Sequence, residues 1–110
     1  MDIHQLTQEM HRFVRRQGWY EQDSKRPQNP RNLAISLSLE AAEVLEHFQW
    51  GDDQANTDEL ASELADVMLY LMQIASISGI DLEKAVLDKL AVNYNRKWDS
   101  SQTTKEISEK

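Results

Sequence analysis

The 110-residue chain has no cysteine, which excludes a disulfide framework and any thiolate metal site. Cations are also scarce: 12 Lys and Arg stand against 19 Asp and Glu, a formal net charge of −7. That balance argues against binding the backbone of a nucleic-acid polymer, which needs clustered Lys and Arg. Nucleotides stay open, because a metal can carry a polyphosphate into an acidic site. No apolar run approaches the length of a membrane span, and Met1-Asp2-Ile3-His4-Gln5 lacks the basic and apolar regions of a signal peptide. The expectation is a cytoplasmic protein with no membrane partner. Strand-like alternation and internal repeats are absent too, and the length suits one domain rather than two.

What the chain does have is helical pattern. Gly18, Gly51 and Gly79 each stand where such a pattern stops. Leu6, Met10, Phe13 and Val14 mark an amphipathic helix over 3–17. Asn29-Pro30 provides an N-cap and a first-turn proline for a second helix to about Gln49. Thr57 can cap a third from Asp58 to about Ser78, and Asp81 a fourth from Leu82 to about Lys97. The polar segment 99–110 reads as a frayed tail behind a domain over 1–98. The fold class expected is all-α, a four-helix bundle.

Helices two and three carry the chemistry. Glu40 and Glu43 share one helical face, and so do Glu63 and Asp66. The short connection 51–57 makes the two helices an antiparallel hairpin. Glu43 with Glu63, and Glu40 with Asp66, lie at matched distances from its turn, so the four carboxylates fall at one level. Apolar positions such as Val44, Leu45, Leu64 and Val67 flank the acidic stripes. Four carboxylates together need protons or a cation, and an all-oxygen set suits Mg²⁺ or Mn²⁺. A di-iron site would need Glu-x-x-His, whereas His47 stands four residues after Glu43 and helix three has no histidine. The bland alternative is a non-catalytic helical interaction module whose acidic faces are merely solvated.

On helix four, Lys89, Asn93 and Arg96 form one stripe that could hold phosphate oxygens and a sugar or base, or could be a solvated basic face. Trp19, Trp50 and Trp98 fall at loops or helix ends, and Tyr70 shares the acidic stripe. Such aromatics can stack on a base, and Trp50, one loop from the acids, is the foremost candidate.

Glu40-x-x-Glu43, Glu63-x-x-Asp66 and Lys89-x-x-x-Asn93, together with Gly18-Trp19, Pro30-Arg31-Asn32-Leu33 and 43–50, resemble the MazG-like nucleoside triphosphate pyrophosphohydrolases. The likeness is to the small single-domain branch that includes dCTP pyrophosphatases, and it covers residues 5–98. The resemblance implies cleavage of an NTP or dNTP, dCTP or a non-canonical nucleotide among them, between the α and β phosphates. It implies Mg²⁺ held by Glu40, Glu43, Glu63 and Asp66, phosphate or sugar contacts from Lys89 and Asn93, and Trp19, Trp50 and Tyr70 around the base. The resemblance also implies a homodimer, or a homotetramer built as a dimer of dimers, that completes the bundle and shares its sites between subunits. Beside it, a carboxylate not fully committed to the metal, Glu43 or Glu46, is the candidate general base, and Arg31 and Arg96 are further candidate substrate contacts. A phosphatase releasing inorganic phosphate is the rival within the enzyme class.

Overall fold

The computed structural model describes residues 1–51 and 56–96. They form four helices: α1 (Ile3–Arg16), α2 (Pro30–Glu46), α3 (Thr57–Ile77) and α4 (Leu82–Tyr94). No strand occurs among the described residues, so the expected all-α class is what the chain adopts. The segment 99–110, the end of the expected fourth helix at Lys97, and Trp98 lie outside the described residues.

Each helix begins on a side-chain cap that satisfies an otherwise orphaned N–H. The Asp2 carboxylate accepts from the Gln5 N–H at 2.8 Å while the Gln5 side chain accepts from Asp2 N–H at 2.9 Å, a reciprocal capping box. Asn29 caps α2 ahead of Pro30, and Asp81 caps α4, both as the sequence suggests. The cap of α3 is Asn56, not Thr57: the Asn56 side chain accepts from Glu59 N–H at 3.0 Å. Asparagine ranks above threonine at that position, and Thr57 becomes the first helical residue.

Helix ends depart from expectation where the last turn tightens. Beyond Glu46, His47 and Phe48 donate to carbonyls three residues back, at Val44 and Leu45, so α2 stops before Gln49. Beyond Tyr94, Asn95 N–H donates to Val92 O, and its side-chain amide to Ala91 O at 2.9 Å. That amide satisfies a terminal carbonyl of α4. Gly18 and Gly79 close α1 and α3 with positive φ, 76° and 73°. In both, the next residue's N–H reaches back to the helix (Trp19 to Val14 O, Ile80 to Ala75 O), the paired-bond cap that favours glycine. Gly51 does not take a positive φ.

α3 is the hub. It packs along α2 as the expected hairpin and also meets α1 and α4, while α4 does not pack against α2. The buried apolar core is small: Met10 and Val14 from α1, Leu33 from α2, Met72 and Ala75 from α3. α4 contributes no buried residue. Leu45 and Leu64, expected to flank the acids toward the core, are exposed; the hairpin seam at that level is given to the acids instead. One expectation is corrected outright. α3 is long and apolar enough, by length and composition, to cross a membrane, because Glu63 and Asp66 are the two acids in its apolar stretch 60–77. Those same acids lie in a cluster against α2, which is the setting of a helix packed on protein.

Candidate metal centre and adjoining cavity

The hairpin brings the expected acids together. Glu40 and Glu43 from α2 and Glu63 from α3 each offer a carboxylate oxygen, and the three oxygens lie within 4.8 Å of one another. Asp66 stands outside that tightest group but close enough for its charge to act on Glu40. Burial, then the charges of Glu43 and Asp66, push the Glu40 carboxyl above its ordinary range. Glu63 is raised as well, first through a side-chain hydrogen bond with Glu43, then by burial and the charges of Glu43 and Glu40. His47 opposes that shift, its Nε2 lying 4.0 Å from Glu63 Oε2. Glu40 Oε1 is buried with no hydrogen-bond partner. A buried orphaned oxygen beside other carboxylates is costly unless a cation meets it. These residues therefore fit a hard divalent ion with oxygen ligands.

Glu46, the other candidate base, is exposed at the end of α2 and does not belong to the gathered carboxylates. Lys89 and Arg96 are exposed and Asn93 half-buried on α4, a helix that does not reach α2. Within one chain the helix that carries the cationic stripe meets α3, which carries Glu63 and Asp66, but not α2, which carries Glu40 and Glu43.

A cavity of about 240 Å³ opens farther along the same hairpin groove, lined by Trp19, Pro27, Gln28, Asn32, Ser36 and Tyr70 among others. Ser36 precedes Glu40, and Tyr70 follows Asp66, by one helical turn. The cavity is therefore displaced about 6 Å along the helices from the acids, away from the α2–α3 connection. Trp19 is held edge-on to Phe13 at 5.6 Å between ring centres, with the Arg26 guanidinium 5.5 Å over its ring. Arg31 is exposed on the first turn of α2, where its neighbour Asn32 lines the cavity instead. Trp50 is 91% exposed. The chain leaves helical phase after Glu46, and the turn carries this ring away from the stripe that holds Glu40 and Glu43.

Sequence reading missed the polar layer behind the cavity. Gln73 is 3% exposed. Its Nε2 donates to Gln28 Oε1 at 2.7 Å and to Tyr20 Oη at 3.2 Å. Tyr20 Oη lies 2.6 Å from His11 Nδ1, and His11 Nε2 lies 2.7 Å from Ser76 Oγ. With Tyr20 accepting from Gln73, its hydroxyl hydrogen goes to His11 Nδ1, which assigns the remaining proton to Nε2 and Ser76 as acceptor. Burial, then Arg15, hold His11 below its ordinary value. Burial pushes the Tyr20 phenol up, against smaller opposing effects of Gln73 and Arg15. The one available signal was an i, i+3 series of polar residues, Tyr70, Gln73 and Ser76, on an otherwise apolar helix face.

Fold and site together define a helical protein with an acidic cluster suited to a hard cation, beside a small cavity with aromatic walls. Lineage supports the same class. Residues 35–109 match the MazG-like family, and the chain belongs to that family. It is similar to dCTP pyrophosphatase 1 of Homo sapiens, 35% identical over 85 residues, covering 69% of this chain and 50% of that protein. The Rattus norvegicus counterpart is 34% identical over the same coverage. A dATP/dGTP diphosphohydrolase of Salmonella phage PMBT28 is 47% identical over 38 residues, 34% of this chain and 13% of that protein. The chain spans half the length of the dCTP pyrophosphatases it matches.

Proposed function

We propose that this chain hydrolyses nucleoside triphosphates, with Mg²⁺ held by Glu40, Glu43, Glu63 and Asp66, to the monophosphate and pyrophosphate. The observation that carries the reading is the carboxylate cluster spanning two helices, together with the buried, unpartnered Oε1 of Glu40, one of its members. Relatives whose names specify dCTP or dATP/dGTP hydrolysis support the substrate class. When bound, Mg²⁺ would neutralise charge on the phosphate oxygens. The displacement of the cavity from the acids by about one helical turn is what a nucleotide needs if its phosphates meet the acids and its base meets Trp19 and Tyr70. Of the two candidate bases, Glu43 lies inside the cluster and Glu46 is exposed outside it; Glu43 would serve as base only with an oxygen left free of the metal.

The assembly belongs to the same proposal. Val86, Leu87, Leu90 and Val92 are all exposed on α4, and the core within one chain is small. A homodimer or homotetramer would cover that surface. In such an assembly α4 of another copy would bring Lys89, Asn93 and Arg96 to the phosphates, since α4 of the same chain does not approach α2.

The test is a panel of NTPs and dNTPs with Mg²⁺, read by pyrophosphate release and product analysis. Metal-dependent formation of monophosphate and pyrophosphate is the expected result. Inorganic phosphate as sole product would make the protein a phosphatase. No turnover of any nucleotide by a folded sample would leave the interaction module as the reading.

A further inference from the structure

The polar layer behind the cavity is expensive to build. A buried carboxamide must find partners for all its polar atoms, and each one left unmade costs free energy. Gln73 uses both hydrogens of its amide nitrogen on the 17–29 segment, one near its start at Tyr20 and one near its end at Gln28. Gln28 in turn donates from Nε2 to Arg26 O at 2.7 Å. These bonds fix which end of the Gln28 amide is oxygen. The Arg26 carbonyl can only accept, so the Gln28 atom facing it is the nitrogen, and Gln73 donating to the other end pins the amide in that orientation; a flipped Gln28 would set its oxygen against the Arg26 carbonyl and its N–H against Gln73. After these bonds Gln28 retains one N–H and one acceptor lone pair, and it lines the cavity with Trp19 and Tyr70. On its Watson–Crick edge every nucleobase offers a neighbouring donor and acceptor, in one order for adenine and cytosine and in the reverse order for guanine and thymine. A freely turning carboxamide reads all of them; a locked one selects.

We propose that Gln73 is a positioning residue for base selection: by donating to Tyr20 and Gln28 it locks the donor–acceptor order that Gln28 offers to a nucleobase in the cavity. Gln73 itself lies behind Gln28, and the acids that would hold the phosphates lie a turn or more away. Its effect is therefore on which base binds and how tightly, with little on the chemical step. This inference rests on the proposed nucleotide activity.

The test measures kcat and KM over the nucleotide panel for the wild-type protein, Gln73→Met, Gln28→Ala and Tyr20→Phe. Methionine keeps the volume of Gln73 and removes its donors. Gln73→Met should raise KM for the preferred base about tenfold with kcat within about twofold, and shrink the preference between bases by about tenfold. Gln28→Ala should give the same flattened profile, and the double variant should be no worse than either single one. Tyr20→Phe, which loosens the layer but leaves the Gln73–Gln28 bond, should keep the preference. A merely structural role for Gln73 would move Tyr20→Phe and Gln73→Met together. An active wild type whose base ratios survive in Gln73→Met overturns the proposal. If that variant loses its helical circular dichroism, Gln28→Ala decides, with unchanged ratios overturning it and flattened ratios supporting it. A wild type inactive on every nucleotide defeats the proposed activity first, and this inference with it.

Discussion

Replacing Glu40 by glutamine should have two effects of opposite sign. Without metal, the cluster is a source of repulsion: the oxygens of Glu40 and Glu43 lie within 4.8 Å, where two like charges repel by about 0.9 kcal/mol in water and about 3.5 kcal/mol at an effective dielectric of 20. The carboxylates stand in a half-exposed groove, so solvent screening places the relief near the lower figure, about 1 kcal/mol. For a domain of this size that raises Tm by about 5 °C. With Mg²⁺ at a hundred times its dissociation constant, the wild type gains about 2.7 kcal/mol, a shift of more than about 10 °C. Glu40→Gln removes an anionic ligand and should lose most of that gain. The assay is thermal unfolding by circular dichroism at pH 7.5, with EDTA and with a series of MgCl₂ concentrations, ionic strength held constant with KCl. A variant that melts lower than wild type in EDTA, yet keeps the full Mg²⁺ shift, would refute the placement of Glu40 at a cation site.

The remaining expectations concern the polar layer, the core and the free surface. His11 is held below its ordinary value of 6.5, so on acidification the unfolded chain takes up a proton before the native one does. Stability should fall as pH drops below 6.5 toward the lowered native value, then stay level; chemical denaturation at pH 7.5 and 5.5 should show a smaller difference for His11→Gln than for wild type. Leu33→Ala, at a side chain 2% exposed, should cost about 2–5 kcal/mol in urea unfolding. Leu87→Lys with Leu90→Lys, on the exposed apolar face of α4, should lower the mass measured by light scattering while leaving far-ultraviolet circular dichroism unchanged. A wild-type protein that is a stable monomer would defeat the assembly.

The legible part of the fold was whatever local chemistry decides. Asn29-Pro30, Asp81 and the glycines at 18 and 79 act on their own residues, so their meaning survives without tertiary knowledge. The hairpin was legible for a related reason: a short connection fixes antiparallel pairing, and helical phase then predicts that Glu40, Glu43 and Glu63 converge. Trp50 shows where this reasoning stops. Its predicted position assumed that α2 keeps its phase to Gln49, and three residues of tighter turn were enough to turn the ring into solvent. Gln73 shows the complementary limit. Its role depends on Tyr20 and Gln28, 53 and 45 positions away in sequence, in a segment with no periodicity from which to infer its path.

Cations and acids present the deeper problem. Lys89, Asn93 and Arg96 follow the acidic pairs in sequence as though all served one site, yet α4 packs on α1 and α3 and stays clear of α2. The same helix contributes no buried residue and exposes Val86, Leu87, Leu90 and Val92. Two facts that look separate, a basic stripe on a helix that does not approach α2 and an apolar face left exposed among the described residues, have one common resolution in the proposed assembly, where α4 packs against another copy of the chain. If so, the Leu87→Lys, Leu90→Lys variant should lose nucleotide turnover along with its assembly, although neither leucine is assigned to substrate or metal. Retained turnover in a monomeric variant would mean instead that the acidic hairpin and the cavity beside it suffice, and that the stripe on α4 is a solvated face.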